Sequence, residues 1–132
     1  MTIELTMLVW TLLLAFVQIL LFDMARTRQY GLAWNTGARD GAMPPLGTLA
    51  ARLKRAQDNL FETLPLFIGA VLVAHLAGRE SGTTAIGAQV YFWGRVLYLP
   101  LYAFGVKTVR SLVWVVSTAG MIAIFWALLA PR

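Results

Sequence analysis

Residues 112–130 read LVWVVSTAGMIAIFWALLA, a run with no charged side chain and no proline. As a helix it is roughly 28 Å long, close to the ~30 Å hydrocarbon thickness of a bilayer. Upstream of it lie three further stretches of similar length and character, and the four fall at about 4–24, 55–77, 84–104 and 110–130. The whole chain agrees: of its 132 residues, 59% are hydrophobic and only 13% charged. A soluble domain is typically about 45–50% apolar and about 25% charged. Backbone polar groups in hydrocarbon must be paired internally, which leaves helices or closed barrels, and these runs are too continuously apolar for barrel strands. The expected fold is therefore an all-α integral membrane protein, a bundle of four transmembrane helices forming a single domain over residues 1–132. The first stretch lacks a basic start, and Phe22-Asp23-Met24-Ala25 makes a poor cleavage site, so it reads as a span rather than a signal peptide.

The formal charge is +5 and the pI about 10.3. In a soluble protein that balance would suggest nucleic acid. Here the basic residues sort by connection. Arg26, Arg28, Arg39, Arg52, Lys54 and Arg55 lie in or beside the first, and Lys107 and Arg110 in the third. Only Arg79 and Arg132 fall on the opposite side. By the positive-inside rule the first and third connections are cytoplasmic and both termini lie on the far side. The charge thus reads as topology and no nucleic-acid partner is expected.

Ionisable residues inside a span are costly and need a reason. Arg55, Asn59 and Glu62 are spaced i, i+4, i+7, and Arg95, Tyr98 and Tyr102 are spaced i, i+3, i+7, so each set occupies one helix face. Helical rise places Glu62 ~10 Å below Arg55, level with the tyrosines, with Arg95 one turn deeper and within its reach. At the cytoplasmic end Arg110 and Ser111 begin the last span, where a helix N-terminus favours an anion. Guanidinium and amide groups suit carboxylates, a glutamate suits an ammonium, and an arginine beside a hydroxyl suits a thiolate or another small anion. The set fits a zwitterionic, anionic peptide-like ligand entering from the cytoplasm; an ion-pair network that fixes helix register is the competing reading. The chain has no cysteine, so sulfur chemistry would use a thiol carried by the ligand. With one histidine, His75, at the far end of its span, no metal site is expected. Trp10, Trp93, Trp114 and Trp126 read as interfacial or packing residues, and Pro65 and Pro100 as helix kinks.

The run Arg55-Ala56-Gln57-Asp58-Asn59-Leu60-Phe61-Glu62, followed by Pro65 and Phe67, resembles the second-helix signature of the MAPEG family, the membrane-associated proteins of eicosanoid and glutathione metabolism. Gly94-Arg95-Val96, then Tyr98, Tyr102, Gly105 and Arg110-Ser111, resembles that family's second signature. The resemblance implies a homotrimer of four-helix protomers that binds glutathione between subunits and faces the cytoplasm. It implies glutathione contacts at Arg55, Asn59, Glu62, Arg95, Tyr98 and Tyr102, with Arg110 stabilising the thiolate and Ser111 beside it. It implies a transferase or peroxidase acting on a lipophilic electrophile from the bilayer. Asp58, Thr63 and Trp114 depart from residues of particular family members, and the spacing from Tyr102 to Arg110 differs by one from two of its synthases. A non-catalytic, lipid- or partner-binding membrane protein is the alternative, and a small exporter of dual orientation is disfavoured by the charge bias.

Overall fold

The computed structural model describes residues 1–132 as five helices: α1 Ile3–Tyr30, α2 Leu32–Thr36, α3 Thr48–Leu76, α4 Gly82–Ala103 and α5 Val109–Leu129. Four are long, at 28, 29, 22 and 21 residues for α1, α3, α4 and α5. Three of these, α1, α3 and α5, are both long and apolar enough to cross a membrane. By length α4 would also reach across, at roughly 33 Å, but Gln89, Arg95 and its tyrosines dilute its apolar content.

Helix limits differ from the apolar limits. The third helix in the chain starts at Thr48 rather than near 55, and α1 runs on to Tyr30 rather than stopping near 24. Arginine and lysine are good helix formers, so both helices carry their basic ends beyond the apolar slab. Local chemistry sets the ends. Thr2 caps α1 by accepting from the Leu5 N–H at 3.3 Å. Ser81 and Thr84 form a reciprocal capping box at the start of α4, which satisfies two otherwise orphaned groups. The short α2 lies against α1 through an edge-to-face contact of Trp34 with Tyr30, ring centroids 4.8 Å apart.

The core forms where α1, α3, α4 and α5 converge, around Leu60, Phe67, Val71, Ala88, Tyr91 and Ile124. Phe67 stacks on Tyr91 at 4.1 Å, and the Tyr91 hydroxyl pairs with that of Thr63 at 2.7 Å. Packing is closest between α4 and α5, where glycine lets one backbone approach the other. A Cβ at Gly120 would stand 2.6 Å from the Gly87 carbonyl oxygen, and one at Gly94 would stand 2.6 Å from Ser117 Cβ. The buried Ser117 hydroxyl donates across this seam to the Tyr91 carbonyl at 2.9 Å.

Outside the core the surface is largely apolar. Large side chains such as Trp93, Leu97, Leu112, Val115 and Ile122 are more than half exposed, far more contiguous apolar area than a soluble monomer shows. At the end holding both chain termini, polar contacts close the bundle. Glu4 is buried and accepts from the Thr84 hydroxyl, and Arg79 donates to the carbonyls of Ala127 and Ala130 at 3.3 and 2.6 Å.

Candidate functional site

At the opposite end, α3, α4 and α5 bring their polar faces together. Arg95 is the deepest member, 2% exposed. Its Nη1 donates to Asn59 Oδ1 at 2.9 Å, and its guanidinium lies 4.5 Å from the centre of the Tyr98 ring. Tyr98 is equally buried and its hydroxyl accepts a long bond, 3.5 Å, from Arg110 Nη1. Arg110 also covers the Tyr102 ring at 4.7 Å. The Tyr102 hydroxyl in turn accepts from Arg55 Nε at 3.0 Å, and the two tyrosine rings meet edge to face at 5.6 Å. Asn59, Arg95, Tyr98, Arg110, Tyr102 and Arg55 thus form one unbroken chain of contacts from the interior to the end of the bundle.

The reason lies in helix geometry. Seven residues are nearly two turns, so Arg95 and Tyr102 share a face of α4, and Arg55 and Glu62 share one of α3. The α4–α5 turn then swings Arg110 back over the tyrosines. That turn requires Gly105, whose φ of +69° is left-handed and costs glycine nothing. It allows the Val106 N–H to reach the Leu101 carbonyl at 2.9 Å, closing the last turn of α4. Thr108 precedes α5 at φ +24° without a side-chain cap, and the Arg110 N–H is taken by the Lys107 carbonyl at 3.1 Å.

A cavity of about 190 Å³ opens at the outer end of this chain, lined by Arg52, Arg55, Tyr102, Gly105, Lys107 and Arg110 together with Val106. Four of these side chains are cationic and none is acidic. Asp58, the nearest acid along α3, is held by Lys54 at 2.9 Å. Oriented guanidinium groups, hydroxyls and an open mouth make this an anion-binding arrangement. A larger recess of about 480 Å³ lies at the far end of the bundle beside Arg79 and Arg132. Both arginines there are engaged by backbone carbonyls and close the ends of helices.

Two residues expected in the set make no hydrogen bond or ion pair with its members. Glu62 is exposed and takes part in none of the chain's ion pairs, which join Arg26 to Asp23, Lys54 to Asp58 and His75 to Glu80. The Arg95–Glu62 contact anticipated from helical rise is therefore replaced by Arg95–Asn59. Ser111 is exposed and shares no hydrogen bond with Arg110.

One residue set aside as packing has an unpaired polar group. Trp114 follows Arg110 by one helical turn, and its indole N–H is buried without a partner. Arg95 Nη2 is orphaned in the same way. Arg26 Nε and Trp34 Nε1, on α1 and α2, are buried donors without acceptors as well, so of the four it is Arg95, through its contact with Asn59, that bears on the cavity.

Comparison with individual curated proteins and with solved structures finds no match. The MAPEG family model matches residues 6–130, nearly the full chain. This multi-pass membrane protein belongs to the MAPEG family.

Proposed function

We propose that the chain is a glutathione-dependent membrane transferase or peroxidase, acting on a lipophilic electrophile that arrives from the bilayer. The observation that carries this reading is the contact chain from Asn59 and Arg95 through Tyr98, Arg110 and Tyr102 to Arg55. It offers three guanidinium groups at graded depth, two tyrosine hydroxyls and an unpaired N–H on Arg95. Glutathione presents two carboxylates, an amide backbone and a thiol, which these groups complement. The family includes glutathione transferases and related proteins, which agrees with that chemistry.

In this reading Arg55 and Arg95 hold carboxylates and Asn59 and the tyrosines hold amide groups. Arg110 stands by the sulfur, lowers the thiol pKa by its charge, and Ser111 assists from the adjacent position. The thiol proton leaves to water at the mouth, and the sulfur lone pair forms the new bond to an electrophilic carbon of the substrate while that carbon's bond to its leaving group breaks, the leaving group departing with the electron pair and taking a proton from water. Only the thiolate is competent for that attack. α4 joins α1, α3 and α5 to make four spans, both termini lie outside the cytoplasm, and the mouth faces the cytoplasm, in keeping with the basic residues of the first and third connections. The protein assembles as a homotrimer, which supplies cover for Glu62. Left exposed in the single chain at membrane depth, that carboxylate has to meet a partner or a ligand ammonium group.

The test is the ultraviolet thiolate band on adding glutathione to the detergent-solubilised protein. It is expected in the wild type and lost in Arg110→Ala, with turnover falling about a hundredfold or more. Failure of glutathione to raise the melting temperature, together with no thiolate band, would refute the reading. The separation of Glu62 and Ser111 from the contact chain favours the second reading, a non-catalytic lipid- or partner-binding membrane protein. That reading predicts that the thiolate band is absent from the wild type.

A further inference from the structure

The cavity at the bundle end carries more positive charge than a thiol peptide uses. On the reading above, Arg55, Arg95 and Arg110 less the carboxylate of Glu62 leave a net charge of two. Glutathione as its thiolate has two carboxylates, one thiolate and one ammonium group, so its net charge is minus two. The account is closed without Arg52 and Lys107, yet both line the same cavity. No carboxylate lines it with them, and Asp58 is occupied by Lys54.

Nor is Arg52 a free surface charge. Its Nη1 donates to the Ala103 carbonyl at 3.4 Å, and its guanidinium lies beside the α4–α5 turn. A Cβ on Gly105 would stand 2.6–2.9 Å from three of the guanidinium atoms, so the guanidinium rests against the backbone of the turn. A charge that served topology alone would need no such seat, because the positive-inside bias depends on which side a residue lies and not on its rotamer. Lys107 projects from the same turn, exposed. Beside the two cations stand apolar side chains facing outward: Phe104 at 79% exposed and Leu49 at 53%. The turn joins the ends of two largely apolar helices and so sits at headgroup depth.

We infer that Arg52 and Lys107 form a second anion subsite at the mouth, one that takes the phosphate head of a membrane amphiphile while its chain lies along Phe104 and Leu49. A phosphate monoester carries about −1.5 to −2 charge at neutral pH, which matches the surplus. A planar guanidinium pre-seated on the turn offers it paired donors, and the lysine supplies a point charge. The subsite rests on the glutathione reading for its charge count, and it identifies the lipophilic substrate or effector of that site as an anionic lipid.

The test is the thermal unfolding of the detergent-solubilised full chain with four additions made separately: glutathione, hexadecyl phosphate, hexadecanol and inorganic phosphate. Hexadecyl phosphate is expected to raise the wild-type melting temperature by several degrees at a micellar fraction where hexadecanol has no effect. The gain should vanish in Arg52→Gln/Lys107→Gln, and in Lys107→Glu alone, which alters only an exposed side chain and leaves folding undisturbed. The rise with glutathione should shrink in Lys107→Glu, through the reversed charge in the shared cavity, but by less than the rise with hexadecyl phosphate. Equal shifts from hexadecyl phosphate and hexadecanol, or a phosphate shift unchanged in Lys107→Glu, would overturn the subsite. Inorganic phosphate acting as strongly as the alkyl phosphate would overturn the lipid assignment and make the ligand a soluble phosphate. Loss of the glutathione shift with the alkyl phosphate shift intact would strike the thiol reading and its charge count, and not the cation pair.

Discussion

Replacing Gly120 by alanine tests whether the close approach of α4 and α5 holds the site together. The added Cβ would lie 2.6 Å from the Gly87 oxygen, 2.8 Å from the Tyr91 nitrogen and 3.0 Å from Val90 Cβ. A carbon and a carbonyl oxygen in contact sit at about 3.3–3.6 Å, so the helices must part by roughly 0.7 Å or more. The first two obstacles are backbone, which no change of rotamer can move aside. Overpacking of this kind costs about 1–3 kcal/mol, and the rigid neighbours put Gly120→Ala at the upper end. Helix propensity returns up to about 1 kcal/mol for glycine to alanine. The net expectation is a loss of about 2 kcal/mol. Gly69, inside α3, is the control: a Cβ there meets nothing within 4 Å, so Gly69→Ala should be neutral or gain up to about 1 kcal/mol. Reversible unfolding of both variants by titration with a denaturing detergent measures the difference. If Gly120→Ala matches or exceeds the wild type, the glycine contact is not a close-packed seam and the reasoning fails.

Two further variants probe other contacts. Asn59→Leu removes the only hydrogen-bonded acceptor of buried Arg95 and should cost about 1–3 kcal/mol; adding Arg95→Met should recover part of that loss, and a double-mutant cycle with no coupling would show the pair to be independent. Arg79→Gln withdraws the donor that binds the carbonyls of Ala127 and Ala130, so amide hydrogen exchange should quicken over residues 127–132 while the core stays protected.

The membrane character of the chain was readable from residues 112–130 alone, because apolar content over a fixed length is a direct consequence of bilayer thickness. Helix ends were not, and the reason is physical. Hydropathy marks where the slab begins, while the helix of α3 begins at Thr48 because Arg52, Lys54 and Arg55 are content to be helical in water. α2 escaped notice because five residues, Leu32–Thr36, carry too little periodicity to stand out. Within the site, helical spacing correctly assigns Arg95, Tyr98 and Tyr102 to one face, and rise gives their order in depth. Spacing is silent on which neighbour a long side chain selects. Asn59 and Glu62 share a face of α3, and Arg95 takes the amide. Trp114 was read as packing because an indole is mostly hydrocarbon; that its N–H is buried without an acceptor, as is that of Trp34, depends on contacts that spacing does not give. Gly105 could be read as a turn residue, but that its missing side chain seats the Arg52 guanidinium depends on a contact between residues 53 positions apart.

The polar content of α4 bears on how the protein is made. α1, α3 and α5 are long and apolar enough to cross a membrane, whereas α4 carries an arginine that costs about 2.5–3.5 kcal/mol to insert at mid-bilayer. When α4 leaves the ribosome, Asn59 has already been synthesised on α3, but the glycine-lined face of α5 has not. The short turn between Ala103 and Val109 lets α5, the most uniformly apolar segment, follow at once and bring α4 in with it as a helical hairpin. Integration of the second half of the chain is then a single event involving two helices. Truncation within α5 would leave α4 stranded at the interface, an outcome that a truncation near residue 112 with a C-terminal glycosylation reporter would reveal.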